Sequence, residues 1–139
     1  TSASMMTNMP YAEKAAKLWK DNPKLSVGLH LNLTVGYPLC GNLRTLTNED
    51  GTFNKQVLKA KPQDIDIEEM RLECQSQMDK FIEMTGRLPD HINSHHGIEA
   101  IPGGSIVLQE LAKKYDLPIR QLTNLNLKQL NIPQTMRFH

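Results

Sequence analysis

The chain has 139 residues, of which 39% are hydrophobic and 22% charged, and its sixteen basic and fifteen acidic side chains give a net charge of +1. This composition is typical of one globular domain, which we expect to span residues 1–139. The balanced charge argues against a nucleic-acid-binding surface, and no segment approaches the ~20 apolar residues of a membrane span.

The first part of the chain alternates between strand and helix patterns. Residues 1–8 predict the end of a strand followed by a loop. Pro10 stands where a helix can start, Trp19 closes a run at helical spacing, and Asn22-Pro23 ends that helix. The segment "KLSVGLHLNLT" then alternates apolar and polar residues, which is typical of a strand. One face of that strand carries Gly28, His30, Asn32 and Thr34.

A long segment without periodicity follows, at residues 35–64, and glycine and proline interrupt it repeatedly. Segments of this kind are usually functional or mobile, so we expect it to shape a pocket over the strand ends and to move more than the helices. Residues 65–85 then predict an amphipathic helix that Gly86 closes.

The second part of the chain repeats the alternation. "RLPDHINSHHG" is a short strand pattern, a helix follows with Ser105 as its N-cap, and "PIRQL" predicts a last strand. The order predicts an α/β fold with parallel strands. Because the strands have one apolar and one polar face, we favour a deformed βα barrel of the TIM type, of which this chain is an incomplete portion.

Three of the five histidines lie in "HINSHH". If this segment is extended, His91, Asn93 and His95 share one face, and His30 lies on a matching polar face. Imidazoles that converge from two strands can bind a divalent ion such as zinc. Asp90 and Glu99 flank the motif, but neither is an evident third ligand. From the residues alone, a metal site and a polar rim both remain open.

Two blocks, "GLHLNLT" with the following "G-PL" and "GRLPDHINSHHG", resemble the YdjC-like carbohydrate deacetylases, which include chitooligosaccharide deacetylases. The resemblance runs from Thr1 to about Leu122. It implies a deformed βα barrel that uses one divalent ion, Mg or Zn, to hydrolyse N-acetyl groups of amino sugars. Carried over by position, His30 and His95 correspond to the two metal-binding histidines. The candidates for contacting the substrate or supporting these histidines are Asn32, His91, Asn93 and His96.

The chain also departs from the family pattern. Residues 1–139 lack the N-terminal Asp motif, which supplies the third metal ligand and the catalytic base, and they lack the C-terminal part. The catalytic group is therefore unknown, and we expect a longer parent protein. The family usually has Asp in place of Asn93 and often His in place of Gly97 and Glu99. The alternative is a non-catalytic or degenerate carbohydrate-binding homologue, with a metal-dependent phosphoesterase ranked behind it.

The remaining expectations concern partners and location. We expect a small carbohydrate substrate and neither nucleic acid nor membrane as a partner. A barrel that lacks its first strand exposes a sheet edge, which would allow homo-oligomers. Cys40 and Cys74 have no CxxC spacing, which favours reduced thiols in a cytoplasmic protein.

Overall fold

The computed structural model describes residues 2–94 and 97–120. Strands and helices alternate along the chain, which confirms the predicted α/β class. The elements are β1 (Ser2–Met5), α1 (Ala12–Asp21), β2 (Ser26–Leu31), α2 (Ile67–Thr85), β3 (Ile92–Ser94) and α3 (Gly104–Tyr115). Short 3-10 helices cover Lys55–Lys59, Pro62–Asp64 and Ile98–Ala100.

The three strands form one parallel sheet in the order β1-β2-β3. A parallel bridge between Ile92 and Ile119 extends the sheet beyond β3, where the last strand is predicted. Residues 121 and 122 of that predicted strand lie outside the described residues. Strands that follow one another in the sequence are also adjacent in the sheet, so α1 and α2 each connect two neighbouring parallel strands. Within residues 2–94 and 97–120 this parallel sheet is open, and its closure into a barrel stays a prediction.

The helix ends follow local chemistry. At the start of α2, the side chain of Asp66 accepts the N–H of Glu68, and at its end Gly86 takes a left-handed conformation with φ 73°, as predicted. The prediction for α3 is wrong by two residues. The helix begins at Gly104 after a left-handed Gly103, so Ser105 lies inside the first turn and caps nothing.

One apolar core joins the sheet to all three helices. From the sheet it takes Leu29, Leu31 and Ile92, which are fully buried. Trp19 of α1 meets Phe81 of α2 edge to face, with ring centroids 5.6 Å apart. Since alternate strand residues point into this core, the polar residues between them point to the other face of the sheet.

The segment between β2 and α2 is more structured than the sequence suggests. Leu46, Phe53 and Val57 are buried in the core, and Thr47 forms an antiparallel bridge with Phe53. These apolar residues have no regular period, so no pattern in the sequence marks them as core. How mobile the segment is stays a prediction.

Two further properties bear on the expectations from composition. Cys40 and Cys74 are free thiols. Cys74 is fully buried, and this burial raises its pKa above the ordinary thiol range. None of the helices in the described ranges has the length and apolar character needed to cross a membrane.

Candidate active site

A buried polar face lies on the side of the sheet away from the helical core. We define this polar face by Gly28, His30, His91 and Asn93. His30 and Asn93 are directly paired across β2 and β3. His91 precedes β3 and lies over Gly28. The structure therefore places His30, His91 and Asn93 on one face, as the strand pattern predicts.

His30 is held by Asn93. Its Nδ1 lies 2.7 Å from Asn93 Oδ1, and both residues are only 4% exposed. An amide oxygen accepts a proton from Nδ1, which leaves the lone pair of the neutral ring on Nε2; this tautomer is assigned from the contact. A metal-binding histidine almost always donates its other ring N–H in this way. The environment of His30 therefore fits a histidine that would bind a metal ion through its Nε2 atom.

The amide nitrogen of Asn93 is in a different situation. It is buried, and it has no hydrogen-bond partner among residues 2–94 and 97–120. A buried donor without an acceptor costs about 1–3 kcal/mol. An aspartate at this position would accept the same proton from His30 and bring no such donor. Asn93 therefore keeps the contact with His30 but is less favourable at this position than an aspartate would be.

His91 is completely buried and packs against the backbone of Gly28. Any β-carbon at position 28 would overlap the imidazole ring of His91, so the close approach requires glycine there. Burial lowers the pKa of His91, and the positive charge of Arg120 lowers it further. The polar face thus favours a neutral His91 beside His30.

Asn32 lies just past β2, at the edge of the sheet where its parallel strands end. Its Oδ1 accepts the N–H groups of Thr34 and Val35 at 3.0 Å each. Its Nδ2 donates to the Val35 carbonyl at 2.8 Å and to Asn8 Oδ1 at 3.0 Å. Asn32 therefore joins the loops that follow β1 and β2, and its contact with a substrate stays a prediction.

Sequence reasoning missed three polar residues on α2. Glu69, Glu73 and Gln77 are spaced four apart and buried. Glu69 Oε1 accepts the N–H groups of residues 44 and 45 at 2.9 and 3.0 Å. Glu73 accepts those of residues 39 and 40 at 3.0 and 2.9 Å, and it also accepts Gln77 Nε2 at 2.7 Å. We call these three residues the α2 ladder.

The α2 ladder connects the long segment to the strand that carries His30. Gln77 Nε2 donates to the Asn32 carbonyl at 2.8 Å, and Gln77 Oε1 accepts the Asn32 N–H at 3.1 Å. The available signal was the spacing of four beside the apolar stripe of the helix. It was missed because glutamate and glutamine next to such a stripe usually face solvent.

The structure describes only some of the other predicted site residues. His95 and His96 lie outside the described residues. Within the described part of the chain, no group of three or more His, Cys, Asp or Glu side chains is arranged to hold a metal ion. Of the flanking carboxylates, Asp90 accepts the Val27 N–H at 3.0 Å, and Glu99 accepts the Ser94 hydroxyl at 3.0 Å. The pairing of His30 with His95 stays a prediction.

The sequence profile of the YdjC-like protein family matches residues 1–138. The chain belongs to the YdjC-like family. Three similar proteins illustrate the family. A carbohydrate deacetylase from Clostridium beijerinckii is 39% identical and aligns with 99% of this chain and 56% of its own length. One from Geobacillus stearothermophilus is 42% identical, over 86% of this chain and 47% of its own length. A chitooligosaccharide deacetylase from Proteus mirabilis is 36% identical, over 91% and 52%.

The fold agrees with this YdjC-like membership. A crystal structure from Enterococcus faecalis V583, described as that of a candidate cellobiose-phosphate cleavage protein, superposes with a TM-score of 0.77 at 29% identity. The superposition covers 99% of this chain and 55% of the other. The chain spans about half the length of the curated relatives that it matches.

Proposed function

We propose that the complete gene product is a metal-dependent hydrolase that removes N-acetyl groups from amino sugars or chito-oligosaccharides. The family match over residues 1–138 and the names of the similar proteins support this activity. The observation that carries the proposal is the buried contact of His30 with Asn93, which orients the imidazole as a metal-binding histidine requires. We also propose that a longer chain closes the parallel sheet into a deformed βα barrel.

In this proposal His30 and His95 would hold one divalent ion, Mg or Zn. The bound ion would lower the pKa of a water molecule toward ~7 and polarise the acetyl carbonyl. A carboxylate of the Asp motif that the family resemblance implies would take the proton from this water.

The residues of this chain prepare the site. Asn93 Oδ1 keeps the His30 proton on Nδ1, so that Nε2 presents its lone pair. His91 is buried, and its lowered pKa favours the neutral imidazole beside His30. The helical core on one face of the sheet and the burial of the polar residues on the other keep bulk water from these imidazoles.

The test is acetate release from N-acetylated chito-oligosaccharides by the complete gene product. We expect release with Zn²⁺ or Mg²⁺, loss after chelation, and recovery when the ion is returned. The segment of residues 1–139 should release little acetate, because losing a general base typically costs 10²–10⁴-fold. Release that persists unchanged after complete chelation would contradict metal dependence. No release from any N-acetylated sugar would contradict the deacetylase itself.

A further inference from the structure

The loop after β2 carries Tyr37, which is 63% exposed. The backbone around it is nevertheless held by hydrogen bonds. The Tyr37 carbonyl accepts Asn8 Nδ2 at 3.0 Å. The preceding carbonyl, of Gly36, accepts the N–H of Phe53 at 2.9 Å. Gly36 itself takes a left-handed conformation with φ 78°, which sets the direction of the chain as it enters Tyr37.

The α2 ladder holds the other side of Tyr37. Glu73 accepts the N–H groups of Leu39 and Cys40 at 3.0 and 2.9 Å. One edge of the ring faces Gly51, since a β-carbon built on that glycine would lie 3.8 Å from Tyr37 Cε1. The backbone on both sides of Tyr37 is therefore held by hydrogen bonds, while most of the side chain stays open.

The position of Tyr37 in the fold is informative. The loops that follow β1 and β2 meet through Asn8 and Asn32, so Tyr37 lies at the edge where the parallel strands end. In folds with helical crossovers between parallel strands, ligands bind at this edge. His30 is on the strand that leads into the same loop. A substrate that approaches His30 from the strand ends would pass this loop.

We propose that Tyr37 is a carbohydrate-stacking residue that packs its ring on the C–H face of a sugar next to the one that loses its acetyl group. This inference rests on the deacetylase function proposed above and deepens it. A pyranose ring presents C–H bonds on its faces, and an aromatic face carries the negative part of its quadrupole. Because the backbone around Tyr37 is already ordered, little conformational entropy is lost when a sugar binds.

The experiment is a calorimetric titration of the metal-loaded complete gene product with a glucosamine tetramer, which carries no acetyl group to hydrolyse. Tyr37→Ala should weaken binding about tenfold, whereas Tyr37→Phe keeps the ring and should bind as the wild type does. The control for the loss of an exposed apolar side chain is Leu72→Ala on α2, where the residue is 61% exposed. This variant should bind the tetramer as the wild type does. Tyr37→Trp should bind at least as tightly as the wild type, and it serves if Tyr37→Ala does not fold.

Equal affinity of Tyr37→Ala and wild type would overturn the inference, as would a tetramer that binds neither. A loss in Tyr37→Phe as large as in Tyr37→Ala would also overturn it, since the ring face would then not be the contact. Acetate release, measured on the same preparations, separates the two proposals. If the wild type releases no acetate but tetramer affinity depends on the ring of Tyr37, the deacetylase proposal fails, while the stacking of Tyr37 on a sugar stands without its relation to the acetylated unit.

Discussion

The contact between His30 Nδ1 and Asn93 Oδ1, at 2.7 Å, decides which nitrogen of His30 carries the proton. Asn93→Leu removes the acceptor, and we expect the His30 proton to redistribute toward Nε2 and metal affinity to fall about 10–100-fold. Asn93→Asp keeps an acceptor, removes the buried amide donor and should retain or tighten metal binding. Nitrogen-15 NMR of the imidazole and a Zn²⁺ titration measure the two effects. A wild-type His30 protonated at Nε2 in the metal-free protein would contradict this assignment.

Gly28 is a second residue whose identity follows from one contact. A methyl group at this position would overlap the His91 ring, so Gly28→Ala should lower the free energy of unfolding by about 1–3 kcal/mol. Gly41→Ala is a matched control, because a β-carbon at Gly41 has no heavy atom within 4 Å. Urea unfolding of both variants checks the difference. If Gly28→Ala were as stable as Gly41→Ala, the described packing of His91 would be wrong.

The connection between α2 and the segment before it depends on buried carboxylates. Both oxygens of Glu73 accept backbone N–H groups, and a glutamine there would turn its amide nitrogen toward at least one of these donors. Glu73→Gln should therefore cost about 1–3 kcal/mol of unfolding free energy. The matched control is Glu83→Gln, the same change at an exposed position of the same helix. Indistinguishable unfolding curves for the two variants would argue against the α2 ladder.

The same change has a local signature in hydrogen exchange. In the wild type we expect the amides of residues 39, 40, 44 and 45 to exchange slowly, because Glu73 and Glu69 accept them. Glu73→Gln should speed exchange at residues 39 and 40 more than at 44 and 45. Fast exchange at all four positions of the wild type would support the mobile loop that the sequence suggests.

The strands and helices differ in how far the sequence alone predicts their buried residues. The period of two around His30 and Asn93 predicted their shared face, because strand alternation needs no tertiary context. The α2 ladder could not be predicted in this way. Glu69 and Glu73 are polar, and their burial depends on backbone N–H groups of a distant loop. Leu46 and Phe53 were missed as core residues because a single apolar residue in a loop has no pattern.

For the molecule as a whole, the order of elements and the family resemblance predicted the parallel α/β fold and the relatives. The parallel sheet forms the polar face, and on this face His30 lies beside Asn93, the residue that orients its imidazole. We propose that the face around His30 is the catalytic face of a carbohydrate deacetylase.

The decisive measurement for this catalytic face is the rate of acetate release from N-acetylated chito-oligosaccharides by His30→Ala in the complete gene product. We expect a loss of at least about 10²-fold relative to the wild type, comparable to removing a catalytic group. Glu83→Gln, exposed and distant from the polar face in sequence and element, should keep the wild-type rate. A folded His30→Ala protein that releases acetate as fast as Glu83→Gln would show that the reaction takes place elsewhere.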